Sequence, residues 1–186
     1  MKRIKKVIQK LRFNVISWGI NWNDPLLKMD IARWKEIMNI HNSDKDAAAR
    51  LLWSYPEFRS LLLYREKKTA NPFWIFWFRT LYKPLDSLFI YAEHIGGGLF
   101  IQHGFSTMIS AKTIGENCWI NQQVTIGYNG HGQPPVIGNN VMITCGAKVL
   151  GSIVVGDNSV IGANAVVTRD VEAGSVMGGI PAHKIK

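Results

Sequence analysis

A period of six in the second half of this chain constrains its fold more than any other feature. Ile114, Ile120 and Ile126 recur every six residues, and after a break Ile137, Ile143, Val149, Val155, Ile161 and Val167 keep the same step. Gly115, Gly127, Gly138, Gly156 and Gly162 each follow one of these aliphatics. Four residues after the aliphatic stands, in most repeats, a small or β-branched residue: Val124, Val141, Ala147, Ile153, Ser159, Ala165 and Val171. Neither a helix nor a simple alternating strand repeats in this way. A hexapeptide period predicts a parallel β-helix, in which each unit is a short strand plus a turn and three units close one triangular coil. The aliphatics are expected to stack inward, and the glycines to relieve turns at positive φ, where a Cβ is penalised. Each coil pairs its backbone with its neighbours, so a lone coil would be unstable.

The break is as informative as the repeat. From Ile126 to Ile137 is eleven residues rather than six, so "GYNGHGQPP" must leave the coil as a protruding loop at 127–136. Loops ejected from a rigid scaffold tend to carry function, and this one carries His131. A second histidine stands in "LFIQHGF", where His103 has no carboxylate, cysteine or other histidine within eight residues. On its residues alone it is either a core histidine satisfied by a carbonyl or the base of an active site.

The first half has a different grammar. Sixteen of the seventeen glycines lie from Gly96 onward, whereas six of the seven tryptophans lie at or before Trp77. We therefore divide the chain into an N-terminal α-helical region, 1–92, and a β-helix domain, 93–186. Ser43 with Asp46 resembles a capping box ahead of "DAAARLLW", and "PEFRSLLLYRE" restarts a helix with Pro56 in its first turn. A third apolar segment runs from about Pro72 to Tyr91, with Pro84 kinking or ending it. Its aromatics, Phe73, Trp74, Phe76, Trp77 and Phe78, cover more than one helical face, for packing between subunits or for contact with lipid.

Composition excludes several classes. With 47% hydrophobic residues the chain is not intrinsically disordered. Two cysteines cannot make a disulfide scaffold, which points to a reducing compartment. No cleavable signal pattern is present, and the uncharged run "ANPFWIFWF" is too short to span a bilayer. The net charge of +9 is concentrated early: Lys2, Arg3, Lys5, Lys6, Lys10 and Arg12 precede the first acid, Asp24. No nucleic-acid module accompanies them, so no nucleic acid is expected as a partner. Ile4, Val7, Ile8 and Leu11 share one helical face among these cations. That pattern fits a helix on an anionic membrane surface, or a solvated basic helix packed on the domain. The expected location is cytoplasmic, with peripheral contact at the inner face of the membrane.

The motifs "GLFIQH", "VTIG", "GAKVLG" and "GIPA" within residues 93–186 resemble the hexapeptide-repeat acyltransferases, in the serine acetyltransferase-like branch. That branch also contains O-acetyltransferases of bacterial surface polysaccharides, and "YPEFRSLLLYR" looks like the end of its helical domain. The resemblance implies a mainly β fold, a left-handed parallel β-helix assembled as a homotrimer, with acetyl-CoA in the groove between subunits. His103 falls on the family's catalytic histidine. The chemistry agrees, because an alcohol needs a positioned base with a pKa near neutrality to attack a thioester, and histidine supplies one.

The chain departs from serine acetyltransferases at several positions. Gln102 stands where they have an aspartate. The aspartate that orients their imidazole aligns near Leu88, and Glu93 is the nearest carboxylate to replace it. "PP" at Pro134–Pro135 replaces the "HP" beside their second histidine, so His131 either substitutes for that histidine or is simply solvated. The chain stops at "GIPAHKIK", without the tail by which the family docks on cysteine synthase, so no such complex is expected. These departures favour a sugar hydroxyl of a surface polysaccharide as acceptor, with serine as the alternative.

The family holds pantetheine by backbone groups of the coils and the 3′-phosphate by basic residues near the end. By position these are Cys145, Gly146, Ala163, Thr168, Arg169 and Lys184. Cys118 takes a small inward position and is expected in the core, whereas Cys145 points outward beside the thioester. A zinc hydrase would need three converging histidines, and His94, His103 and His131 lack such spacing, so no metal is expected. A catalytically silent scaffold is the remaining alternative.

Overall fold

The computed structural model describes residues 2–67, 70–128 and 132–186. It forms two compact units, Met1–Leu85 and Asp86–Lys186. The border lies ahead of the expected 92/93 position because Leu88–Ile90 is already a strand, paired with Thr107–Ile109 of the next coil.

The first unit holds α1 (Lys2–Ser17), α2 (Pro25–Ile37), α3 (Asp44–Ser54), α4 (Pro56–Glu66) and α5 (Pro72–Leu81). Four of their starts are written in the sequence. Asp24, Ser43 and Asn71 each accept a hydrogen bond from the second or third helical amide, and Pro25, Pro56 and Pro72 open their helices. The segment expected to run to Tyr91 instead ends at Leu81, and Tyr82 caps it by donating its amide to the Phe78 carbonyl. Trp34, Leu51, Leu52, Phe58 and Leu61 fill the core between α2, α3 and α4, with Trp34 and Phe58 edge to face at 5.3 Å. Within this apolar core Arg65 clamps Asp30 through two hydrogen bonds of 2.8 and 3.1 Å, tying α4 to α2.

The second unit is the solenoid. Its first coil comprises β1 (Leu88–Ile90), β2 (His94–Ile95) and β3 (Phe100–Ile101), and its second β4 (Thr107–Ile109), β5 (Thr113–Ile114) and β6 (Trp119–Ile120). The third has β7 (Thr125–Gly127), β8 (Val136–Ile137) and β9 (Met142–Ile143), and the fourth β10 (Lys148–Leu150), β11 (Val154–Val155) and β12 (Val160–Ile161). The last consists of β13 (Val166–Val167), a bridge from Val171 to Val155, and β14 (Val176–Gly178). Every one of these pairings is parallel, and they build three sheets in the orders β1-β4-β7-β10-β13, β11-β8-β5-β2 and β14-β12-β9-β6-β3. The strand β15 (His183–Lys184) turns back antiparallel on β14 and closes that sheet's open edge.

All nine hexapeptide aliphatics are buried, as are the small residues that follow them. Their role is as expected, but that of the glycines is not. The positive-φ slots of the corner after the second strand hold Gly98, Asn117, Asn140, Asn158 and Gly174; asparagine tolerates the left-handed region better than most side chains. Gly115 instead marks a close approach of coils. A Cβ there would lie 2.6 Å from the carbonyl carbon and oxygen of Gly138 one coil on. Gly115→Ala is expected to cost about 1–3 kcal/mol through overpacking against backbone that cannot retreat, measured as a lower urea midpoint with unchanged slope.

Candidate active site

Three strands per coil give three corners, and each corner stacks into an edge along the solenoid. The corner after the third strand carries Gln102–Ser106, then 121–124, 144–147 and 162–165. By the strand pairing, in which Ile101 partners Ile120 and Met108 partners Thr125, the second coil takes five steps from Ile120 to Thr125 and the first takes seven from Ile101 to Met108. The two extra residues fall in the segment containing His103. His103 adopts φ 62°, Gly104 φ 34° and Ser106 φ 52°, so three of its five residues are left-handed. A histidine held there is under local strain of the kind concentrated at functional sites.

Neighbouring groups fix the bulge. The Phe105 amide donates to the His103 carbonyl. The Phe105 carbonyl accepts from the Gln123 amide at 3.0 Å and from the Thr107 hydroxyl at 3.2 Å. On the next coil Asn121 Nδ2 donates to Gln102 Oε1 at 3.2 Å. The outcome is an exposed imidazole on a rigid backbone, which excludes the core-histidine alternative. Asn121, Phe105 and Thr107 were not singled out in the sequence. Their signal was the spacing from Ile101 to Ile109, which is eight residues and breaks the period where His103 lies.

Cys145, Gly146 and Ala163 lie on the same edge, two and three coils beyond His103. Cys145 is half-buried and Ala163 exposed, and Gly146 takes the positive-φ slot at 72°. The other candidates lie elsewhere. Glu93 is exposed at the corner after the first strand, a different edge from His103, and the two share no hydrogen bond. The nine residues between them carry the chain along two sides of the triangle, β2 and β3, so Glu93 does not orient the imidazole within one chain. Thr168 and Arg169 are exposed on Glu93's edge at the last coil. Lys184, on β15, pairs with Glu172 at 2.9 Å, and this partner holds the Glu172 carboxyl below its usual range. The loop expected at 127–136 emerges between β7 and β8, also on Glu93's edge. Its His131 lies outside the described residues. Among the described residues no three His, Cys, Asp or Glu side chains gather to hold a metal ion.

The two thiols occupy opposite environments. Cys118 is buried and donates to the Gly138 carbonyl at 3.1 Å, and burial pushes its pKa up to about 11. At pH 8 Cys145 is expected to react with a thiol reagent in the native state and Cys118 only after unfolding, as peptide mapping after timed alkylation would show. Because the folded state keeps the Cys118 proton that the unfolded thiol releases near 9, stability should fall as pH rises from about 9 towards 11.

Comparison with known proteins adds the lineage. A pattern for the six-repeat bacterial transferase hexapeptide matches residues 134–169. The serine acetyltransferase of Helicobacter pylori is 37% identical over 154 residues, which cover 76% of this chain and 90% of that protein. The chain belongs to the serine acetyltransferase-like hexapeptide transferases. A serine acetyltransferase of Synechococcus elongatus is 36% identical over 76% of this chain, which spans 64% of that relative's length. Soybean serine acetyltransferase shares the fold at a TM-score of 0.67 over 95% of this chain and 83% of the soybean chain, with 21% identity. This hexapeptide transferase thus has a left-handed β-helix preceded by a helical unit, as its relatives do.

Proposed function

We propose that this hexapeptide transferase moves an acetyl group from acetyl-CoA to a hydroxyl, with serine as the first acceptor to consider. The observation that carries the reading is His103, exposed on a strained and hydrogen-bonded bulge at the edge that also bears Cys145, Gly146 and Ala163. A thioester lying along that edge would present its carbonyl to an acceptor held at the imidazole. His103 would remove the hydroxyl proton as the oxygen bonds to the carbonyl carbon. Collapse of the tetrahedral adduct would break the C–S bond, and the imidazolium would return its proton to the departing CoA sulfur. Backbone N–H groups of the edge would serve the oxyanion.

The sequence departures rank a sugar hydroxyl first, whereas the named relatives favour serine. A neighbour in fold from Brucella abortus is a complex with coenzyme A, and one from soybean is a complex with serine. One observation keeps the sugar reading: Gln102, in place of an aspartate, spends its side-chain oxygen on Asn121. His103 lies on a different edge from the ends of the 127–136 loop at β7 and β8, so a site using both would draw on a second subunit, in keeping with a homotrimer. Mass spectrometry of products from acetyl-CoA with L-serine and with simple glycosides tests the acceptor. O-acetylserine with equimolar CoA is expected; acetylated glycoside without O-acetylserine would replace serine by a sugar.

A further inference from the structure

Large exposed apolar side chains in the first unit are concentrated on two helices. On α1, Ile4, Val7, Ile8, Leu11, Val15 and Trp18 (just beyond its end) are exposed, and their spacing of three and four places them on one stripe. The same helix buries Phe13 and Ile16 on the other side, so the stripe faces away from the core on which α1 packs. The helix α5 repeats the arrangement: it buries Trp74 and Phe78 and exposes Phe73, Phe76 and Trp77. The three exposed rings form an edge-to-face cluster with centroids 6.1 and 5.7 Å apart. The two helices are locked together, because Trp74 Nε1 donates to the Ile16 carbonyl at 2.7 Å. Among the described residues, α2, α3 and α4 add only Leu26 to this exposed set.

The charge around these stripes decides what covers them. Neither helix contains an acidic residue. Lys10 and Arg12 are exposed and flank the α1 stripe, one on each side by the helical spacing, and Arg79 is exposed near the end of α5. The sequence adds Lys2, Arg3, Lys5 and Lys6. A second copy of this chain packed face to face would set these cations against one another, at an electrostatic cost. Anionic headgroups would neutralise them while the apolar stripe enters the acyl boundary.

We propose that α1 and α5 together form a docking surface for an anionic lipid bilayer. No described helix is long and apolar enough to cross a membrane, so α1 lies in the plane of the interface with the stripe inward. The exposed tryptophans suit the headgroup level, where such rings accumulate.

The test is flotation of the full chain with phosphatidylcholine–phosphatidylglycerol vesicles and with phosphatidylcholine alone, alongside sedimentation without lipid. The wild type is expected to float with the anionic vesicles and to be released by salt. Leu11→Ser with Val15→Ser, and separately Phe73→Ser with Trp77→Ser, should each weaken binding about tenfold. All four positions are exposed, so circular dichroism melting should not move. Absence of flotation on anionic vesicles, or flotation that neither double variant weakens, would overturn the proposal. So would self-association abolished by these substitutions, which would make the face a contact between copies.

Discussion

His103→Asn is expected to lower the rate of acetyl transfer about 10²–10⁴-fold, the usual contribution of a positioned base, while CoA binding and the denaturation midpoint stay unchanged. Asparagine is the replacement the backbone itself suggests. His103 holds φ 62°, and Asn117, Asn140, Asn158 and Asn164 occupy comparable angles of 55–59° elsewhere in the same solenoid. Alanine would add strain at this φ and confuse a catalytic loss with a structural one. The bulge hangs on backbone groups and on the Thr107 hydroxyl, none of which the substitution touches. Thiol release followed spectroscopically, with CoA affinity from calorimetry on the same sample, separates chemistry from binding. Equal loss of both would assign His103 to the donor site instead.

Asp30→Ala is expected to destabilise the helical unit by about 3–5 kcal/mol, because it removes the buried carboxylate that pairs with the Arg65 guanidinium. Asp30 has no exposed side-chain surface and Arg65 only 3%, so water cannot replace the lost carboxylate. The contrasting pair is Arg33 with Glu36, where Glu36 is 71% exposed; Glu36→Gln should shift stability by no more than about 1 kcal/mol. Tryptophan fluorescence in urea reports these changes selectively, since six of the seven tryptophans belong to the helical unit. A wild-type midpoint for Asp30→Ala would mean that the clamp stabilises nothing.

The solenoid was legible because an inward stack tolerates only one spacing, and every aliphatic from Ile114 to Val167 in the period is buried as that spacing demands. Its first coil was not. Ile90 to Ile95 is five residues and Ile101 to Ile109 is eight, so the two extra residues at the His103 corner hid the period that begins there. The glycines were assigned the wrong task for a physical reason: tight approach and positive φ both exclude a Cβ, and sequence alone does not separate them. Asn117, Asn140 and Asn158 carried the missing information, since they fill the left-handed slots. His103, Cys145, Gly146 and Ala163 fall on one edge because residues at the same corner of successive coils stack. Glu93 was misplaced because sequence proximity does not follow the corners of a triangle. The stripe on α1 was visible as a pattern, but the packing of Phe13 and Ile16 on its other side was needed to tell which face is covered.

The central claim is that the His103 edge is the binding groove for acetyl-CoA. Its most direct test is titration of the wild-type chain with acetyl-CoA while the alkylation rate of Cys145 is followed. We predict saturable binding that slows modification of Cys145 in proportion to occupancy and leaves Cys118 unreactive throughout. Absence of saturable binding, or binding that leaves the Cys145 rate unchanged, would contradict the account.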